Sequence, residues 1–188
     1  YAIAAVAARR GAQVVLVSGQ TALATPLGVE RVDVRSAQDM FEAVSSRAAE
    51  QDIIIKCAAV ADYRRKTTAE HKIKKGGGIP TLELEPTTDI LAYLGENRKP
   101  QQVLCGFSME TRDLLENSRA KLKKKNVDMI AANRLGEAGA GFGTNTNRLT
   151  LITAEDEEAL SLMDKEQAAE HLLGRLMLLY RTKMGRLD

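Results

Sequence analysis

The sequence predicts an α/β fold: a doubly wound, mostly parallel sheet with helices on both faces and a projecting β arm. Three observations carry that expectation. Short apolar runs recur at residues 13–17 (QVVLV), 52–59, 103–107 (VLCGF) and 127–132 (VDMIAA), and each reads as a buried strand. Segments of helical period alternate with them, as in βαβ units. One stretch, residues 81–85 (TLELE), instead alternates strictly between apolar and polar, which suits a half-exposed strand.

The elements follow in order. Residues 1–10 are Ala-rich with a wide apolar face, so they read as a helix that Gly11 stops. The strand at 13–17 ends at Ser18-Gly19. Helix, glycine and strand in that sequence form the second half of a βαβ unit. The first strand and its phosphate-binding turn are therefore expected ahead of Tyr1, where the chain opens in what reads as mid-helix. A short strand at 31–34 precedes Ser36, an N-cap whose partner Asp39 makes an acidic variant of the capping box. Met40, Phe41, Val44 and Ala48 share one face, giving a helix over 37–50. After the strand at 52–59 comes a charged stretch, then a hairpin-like arm over 73–85 with Gly76-Gly77-Gly78 as its tip. Thr87 or Thr88 is expected to cap the next helix, with Asp89 in its first turn. A helix at 114–125, a Gly-rich polar loop at 134–146, a strand at 148–153 and a helix at 166–183 complete a Rossmann-like sheet in one domain spanning 1–188.

Whole-chain quantities exclude several classes. With 188 residues, 44% hydrophobic and 28% charged, the chain is sized and composed like one globular domain. A net charge of +2 gives no bulk electrostatic case for nucleic acid, although a local basic patch can still bind phosphates. No run approaches the roughly 20 apolar residues that span a bilayer. The apolar start lacks a basic n-region and is followed by Arg9 and Arg10, unlike a signal peptide. Cys57 and Cys105 lie in or beside apolar runs, which fits buried free thiols in a reducing, cytoplasmic setting. Two histidines, His71 and His171, and no Cys-x-x-Cys make a structural zinc site improbable.

Ligands of open α/β sheets bind beyond the carboxyl ends of the strands. Those ends are Ser18-Gly19, Ala58 to Asp62, Gly106-Phe107 and Asn133, and polar residues gather there. The stretch from Ala58 to Lys75 leaves a buried strand and ends in the cluster Lys72-Ile73-Lys74-Lys75. It reads either as a site or as a solvated connection with ordinary surface lysines. Lys72, Lys74 and Lys75 are point charges suited to phosphate. Lys121 and Lys125, four apart, share one side of their helix and suit a polyphosphate, or else they form a solvated face. Asp62 could accept hydrogen bonds from a base or sugar, or pair with Arg64 or Arg65. Phe107 could stack on a planar ring or belong to the core. Glu110 is the best-placed single carboxylate. No Ser-His-Asp arrangement can be assembled, so orientation of phosphates and electrostatic stabilisation suit these residues better than a nucleophile.

In that order and spacing, AAVADYR, KIKK ten residues after its Asp, PTTDIL, GFSMET, KLKKKNVDMIAAN and GAGFGTNTN resemble the phosphopantothenoylcysteine synthetase family. This is the phosphopantothenate–cysteine ligase half of the bacterial bifunctional coenzyme A biosynthesis protein. The opening YAIAAVAARRGAQVVLVSG matches as well. The resemblance implies a two-step ligation. The carboxylate of phosphopantothenate attacks the α-phosphate of CTP, releasing pyrophosphate, and the amine of cysteine then displaces CMP. Mg2+ accompanies the nucleotide. By match of motif, Lys56-Cys57-Ala58 and Asp62 would hold the nucleotide through backbone amides and the carboxylate. Lys72 would contact phosphate and support the activated intermediate. Thr88, Asp89, Ile90 and Leu91 would supply a helix N-terminus, which favours anions. Phe107 would pack near the cytosine, Lys121 and Lys125 would grip the triphosphate, and Ala59 would meet the acyl intermediate. The family also implies a homodimer, with the arm strand pairing across the interface. Its Gly-rich first turn and the S-N-x-S-S-G-K-M-G segment are expected ahead of Tyr1, and Thr87-Thr88 stands where other members have Asn-Pro. Two other classes stand beside this reading. A nicotinamide-dependent oxidoreductase would end its second strand in an acidic residue, where this chain has Ser18-Gly19. A non-catalytic nucleotide-binding domain would need no N-terminal segment.

Overall fold

The structure, a computed structural model, describes residues 1–67, 81–134 and 143–185. Three strands form its parallel centre: β3 (Ile53–Lys56), β6 (Val103–Glu110) and β7 (Met129–Arg134). Strand β9 (Thr150–Ile152) joins β7 in antiparallel sense, and β10 (Glu157–Ala159) joins β9 likewise. The order across this five-stranded sheet is β10-β9-β7-β6-β3. The antiparallel edge has a local cause. Only residues 153–156 connect β9 to β10, too few for a crossover. Thr153 closes that turn, its backbone N–H donating to the Asp156 carbonyl at 2.9 Å.

Strands β1 (Val14–Ser18) and β2 (Val29–Asp33) pair in parallel, but among the described residues neither is hydrogen-bonded to the five-stranded sheet. The expected doubly wound, mostly parallel sheet is thus a parallel centre with an antiparallel edge, beside a separate parallel pair. Helices cover both faces. On one lie α1 (Ala2–Arg9) and α5 (Lys165–Lys183), with Val6, Leu172 and Leu176 packed on Cys105, Met129 and Ala131. On the other lie α2 (Ala37–Ala48), α3 (Ile90–Asn97) and α4 (Leu114–Lys124), with Met40, Leu94 and Leu122 packed around Leu104 and Ile130. Alternation along β6 and β7 sends neighbouring residues to opposite cores. Met129 and Ile130 are both fully buried, one in each core. Each such side chain contributes on the order of 1.5–3 kcal/mol relative to exposure.

Two glycines let α3 sit where it does. A Cβ on Gly106 would come 2.6 Å from Leu91 Cδ2 and 3.0 Å from Ile130 Cδ1, so the bare backbone of β6 makes room for the helix. A Cβ on Gly95 would fall 1.9 Å from the Lys125 carbonyl oxygen, where α3 crosses the end of α4. Asn126, left-handed at φ 49°, ends α4 and donates from Nδ2 to the Gly95 carbonyl at 2.7 Å.

Several boundaries differ from expectation. Strand β3 stops at Lys56 rather than Ala59, because the chain bends there: the Val60 N–H donates to the Ala58 carbonyl at 3.1 Å. The cap of α3 is Asp89, not Thr87 or Thr88. The Thr87 hydroxyl is engaged elsewhere, and Asp89 accepts the Ala92 N–H at 3.0 Å. Strand β6 runs on to Glu110, paired with β7 as far as Arg134. The arm is built from β4 (Tyr63–Arg65) and β5 (Leu84–Pro86), so its strands start earlier and end later than the hairpin expected over 73–85. Cross-strand pairs set its register: Arg64 Nε lies 2.7 Å from Glu85 Oε1, and Lys66 Nζ lies 3.3 Å from Glu83 Oε2. Both cysteines are free, but Cys57 is exposed rather than buried, because it sits past the end of β3. The capping box at Ser36 and Asp39 and the left-handed stop at Gly11 (φ 86°) form as expected. Among the described residues, no helix is long and apolar enough to cross a membrane.

Candidate nucleotide site

The carboxyl ends of β3 and β6 meet the start of α3 and one side of α4 at a single edge of the sheet. Lys56 ends β3 and shares the α2–α4 face with Ile54, two residues before it. Its ammonium donates to the Ala58 carbonyl at 2.6 Å. Burial pushes its pKa below the ordinary lysine value, and the nearby Lys121 charge adds to this. Asp89, Cys57 and Asp62 pull the other way. Lys121 donates to the Phe107 carbonyl at 2.9 Å. Lys125 pairs with Asp89 Oδ2 and is only 16% exposed.

Lys121 and Lys125 therefore face the end of the sheet, while Lys123 and Lys124 between them are exposed. The solvated-face reading of this pair does not hold. Asp89 is the anionic counterweight. Burial acts to raise its carboxyl pKa. The hydrogen bonds from Lys125 and the Ala92 amide, with the charges of Lys125 and Lys56, outweigh burial and leave it below the ordinary value. Two carboxylates, Asp89 and Asp62, thus stand among three ammonium groups, and these groups keep a positive excess.

Loop 57–62 is fastened to the entry of α3. The Thr87 hydroxyl donates to the Ala61 carbonyl at 2.6 Å, and the Thr87 N–H donates to the Asp62 carbonyl at 2.9 Å. Cys57, Ala58, Ala59, Asp62 and Thr88 are exposed along this edge. Packing around its sulfur still pushes the Cys57 thiol up, partly offset by the charges of Lys56 and Lys165. Ile90 and Leu91 are core residues, 3% and 4% exposed, so their side chains face away from any ligand. What they can offer is the pair of first-turn amides that no intrahelical carbonyl satisfies. Phe107 is divided. Its ring packs against the α1–α5 core, on the opposite face from the lysines, while its carbonyl receives Lys121. Lys72 lies outside the described residues, as do Lys74, Lys75 and His71.

Sequence reasoning missed two features. Thr87 was weighed only as a cap, yet it is the tie between loop and helix. Glu110 was singled out only as a lone carboxylate, yet it is a hub: Ser108 donates to Oε1 at 2.6 Å and Asn117 to Oε2 at 3.1 Å. The signal for the second was present, since Ser108 and Glu110 are two apart on one strand and so share a face.

With this geometry in view, comparison with known proteins is informative. Residues 1–179 match the family model described as the DNA/pantothenate metabolism flavoprotein C-terminal domain. The chain belongs to this family. Every site residue named above falls inside the family match. The chain is 42% identical over 178 residues to the coenzyme A biosynthesis bifunctional protein CoaBC of Vibrio parahaemolyticus, covering 94% of this chain and 45% of that protein. It is 45% identical over 175 residues to the CoaBC protein of Bacillus subtilis, covering 92% and 43%. It thus spans about half the length of the curated relatives it matches. The crystal structure of the C-terminal domain of a CoaBC protein superposes with a TM-score of 0.79 at 41% identity, over 95% of this chain and 81% of that one. The family domain is therefore a mixed α/β unit with a mostly parallel central sheet, as the sequence predicts.

Proposed function

We propose that this chain ligates cysteine to 4'-phosphopantothenate at the expense of CTP, yielding phosphopantothenoylcysteine, CMP and pyrophosphate in coenzyme A biosynthesis. The observation that carries this reading is the convergence of Lys121, Lys125 and the start of α3 at the end of the sheet. A helix N-terminus beside ammonium groups is suited to a polyphosphate. The kinship with coenzyme A biosynthesis proteins supports the pathway, and the motif resemblance implies the substrates.

In the first step, a carboxylate oxygen of phosphopantothenate forms a bond to the α-phosphorus of CTP. The bond from that phosphorus to the bridging oxygen breaks, and pyrophosphate leaves with the electron pair. Negative charge grows on the departing phosphates, where Lys121 and Lys125 stabilise it more strongly than in the ground state. In the second step, the cysteine amine forms a bond to the acyl carbon, the bond from that carbon to the oxygen bridging to phosphorus breaks, CMP departs with that oxygen and the electron pair, and the amine's proton is lost to solvent. Loop 57–62, fixed by Thr87, places the amides of Cys57 and Ala58 and the Asp62 carboxylate for the cytosine and ribose. Ala59 borders the acyl group. Lys72 contacts phosphate and supports the intermediate. Among the described residues, no three metal-ligating side chains cluster. Mg2+ accompanying the nucleotide would offset charge on its phosphates beside Lys121 and Lys125.

The reading is tested by Lys121→Met and Lys72→Ala. Each variant should fold with an unchanged circular dichroism spectrum and lose ligation on the order of 100-fold, the scale of removing one charge-stabilising group. Wild-type turnover in either variant would return that lysine to the surface.

A further inference from the structure

The reading above gives the Lys56 side chain no role. Its side chain is differently placed from the helix lysines. Lys56 pairs with Gly106 across β3 and β6, one residue before Phe107, whose carbonyl holds Lys121. Its ammonium reaches back to the Ala58 carbonyl, which also accepts the Val60 N–H at 3.1 Å. One ammonium thus fixes the first bend of loop 57–62, and Thr87 fixes the other end at Ala61 and Asp62. A lysine ammonium has three donors, and this contact occupies one. Lys121 is near enough to Lys56 to disfavour its charge, while Asp89 and Asp62 favour it. Two half-buried cations on one face repel each other, and a polyanion between them removes that cost.

We propose that the Lys56 ammonium is a third phosphate-binding cation of this edge, held ready on the Ala58 carbonyl and acting beside Lys121 and Lys125. This rests on the nucleotide-site reading and adds a side chain to it. Because the same ammonium fixes Ala58, phosphate binding and the shape of the base-holding loop are linked through one residue.

Isothermal titration with inorganic tripolyphosphate isolates the charge contribution from the nucleoside. Lys56→Met should bind tripolyphosphate about tenfold more weakly than wild type, as expected for losing one charge-assisted contact. Lys56→Arg should remain within about threefold of wild type. Lys99→Met is the control, because Lys99 makes the same kind of contact, to the Ala49 carbonyl at 2.6 Å, away from this edge. It should bind normally. Wild-type affinity in Lys56→Met, or an equal loss in Lys99→Met, would overturn the proposal while leaving the site in place. If Lys56→Met does not fold, Lys56→Gln answers the same question by the same criterion. Wild-type protein that binds no tripolyphosphate would instead overturn the nucleotide-site reading itself.

Discussion

At the scale of single residues, the two cysteines give the sharpest contrast. Cys105 is fully buried in β6, and burial holds its thiol far above the ordinary range. Cys57 is exposed, with a thiol raised mainly by partial desolvation. Only the thiolate alkylates readily. Iodoacetamide should therefore label Cys57 alone in the folded chain, slowly at neutral pH and faster as pH rises towards its raised pKa. Cys105 should label only after denaturation. Peptide mass spectrometry across a pH series reads both, and labelling of native Cys105 would contradict its placement. This is also where sequence reading was weakest. Cys57 followed an apolar run and so read as buried, because nothing in residues 53–59 marks the bend after Lys56. Lys121 and Lys125 were legible because a four-residue spacing fixes a shared helix face. Whether that face met water or the sheet depended on α4's docking, which is a tertiary fact. Phe107 was legible as a site residue only in its backbone. Its ring direction follows from which of the two cores odd-numbered β6 residues enter.

At the scale of elements, the packing of α3 depends on Gly95. A methyl group there would meet the Lys125 carbonyl at 1.9 Å, and backbone cannot swing aside as a side chain can. Gly95→Ala should destabilise the chain by about 1–3 kcal/mol, the usual cost of overpacking, despite alanine's better helix propensity. Chemical denaturation measures this, and an unchanged midpoint would show that α3 and α4 are not packed so closely. The same change presses on Lys125 and should weaken its pairing with Asp89. The arm makes a different prediction. Tyr63, Leu82 and Leu84 are 61%, 72% and 59% exposed on β4, β5 and the segment leading into β5, an apolar surface on a two-stranded ribbon. If the arm pairs with a second copy, as the family resemblance implies, Leu84→Asp should shift the chain from dimer to monomer in light scattering. A wild-type monomer, or a Leu84→Asp dimer, would remove the arm from the interface. The strand character of the arm was legible from TLELE only in part, since β5 takes Leu84 and Glu85 from it and residues 81–83 lie outside the strand. Its partner was not, since Tyr63-Arg64-Arg65 carries more charge than pattern, and the Arg64–Glu85 pair across the strands is a tertiary fact.

At the scale of the whole molecule, the two ends of the sheet do different work. At the amino end, Asp128 accepts the Leu104 N–H at 2.8 Å, pairs with Arg98, and lies 2.7 Å from Lys183 Nζ. It is shared by two cations, and it ties α5 to the strands. At the carboxyl end, the lysines outnumber Asp89 and the loop amides stay available. The alternation of strands and helices pointed to the carboxyl end as the expected crevice, and nothing in it marked the Asp128 cluster. The separate β1–β2 pair and the antiparallel edge were not legible, because strand order depends on connections whose length constrains but does not fix them. The central claim is the ligation itself, and the most direct measurement is pyrophosphate release by the polypeptide that carries this chain. Sustained release should require CTP, phosphopantothenate and cysteine together, and omitting any one should stop it. Release that continues without phosphopantothenate, or no release with all three present, would contradict the ligase assignment.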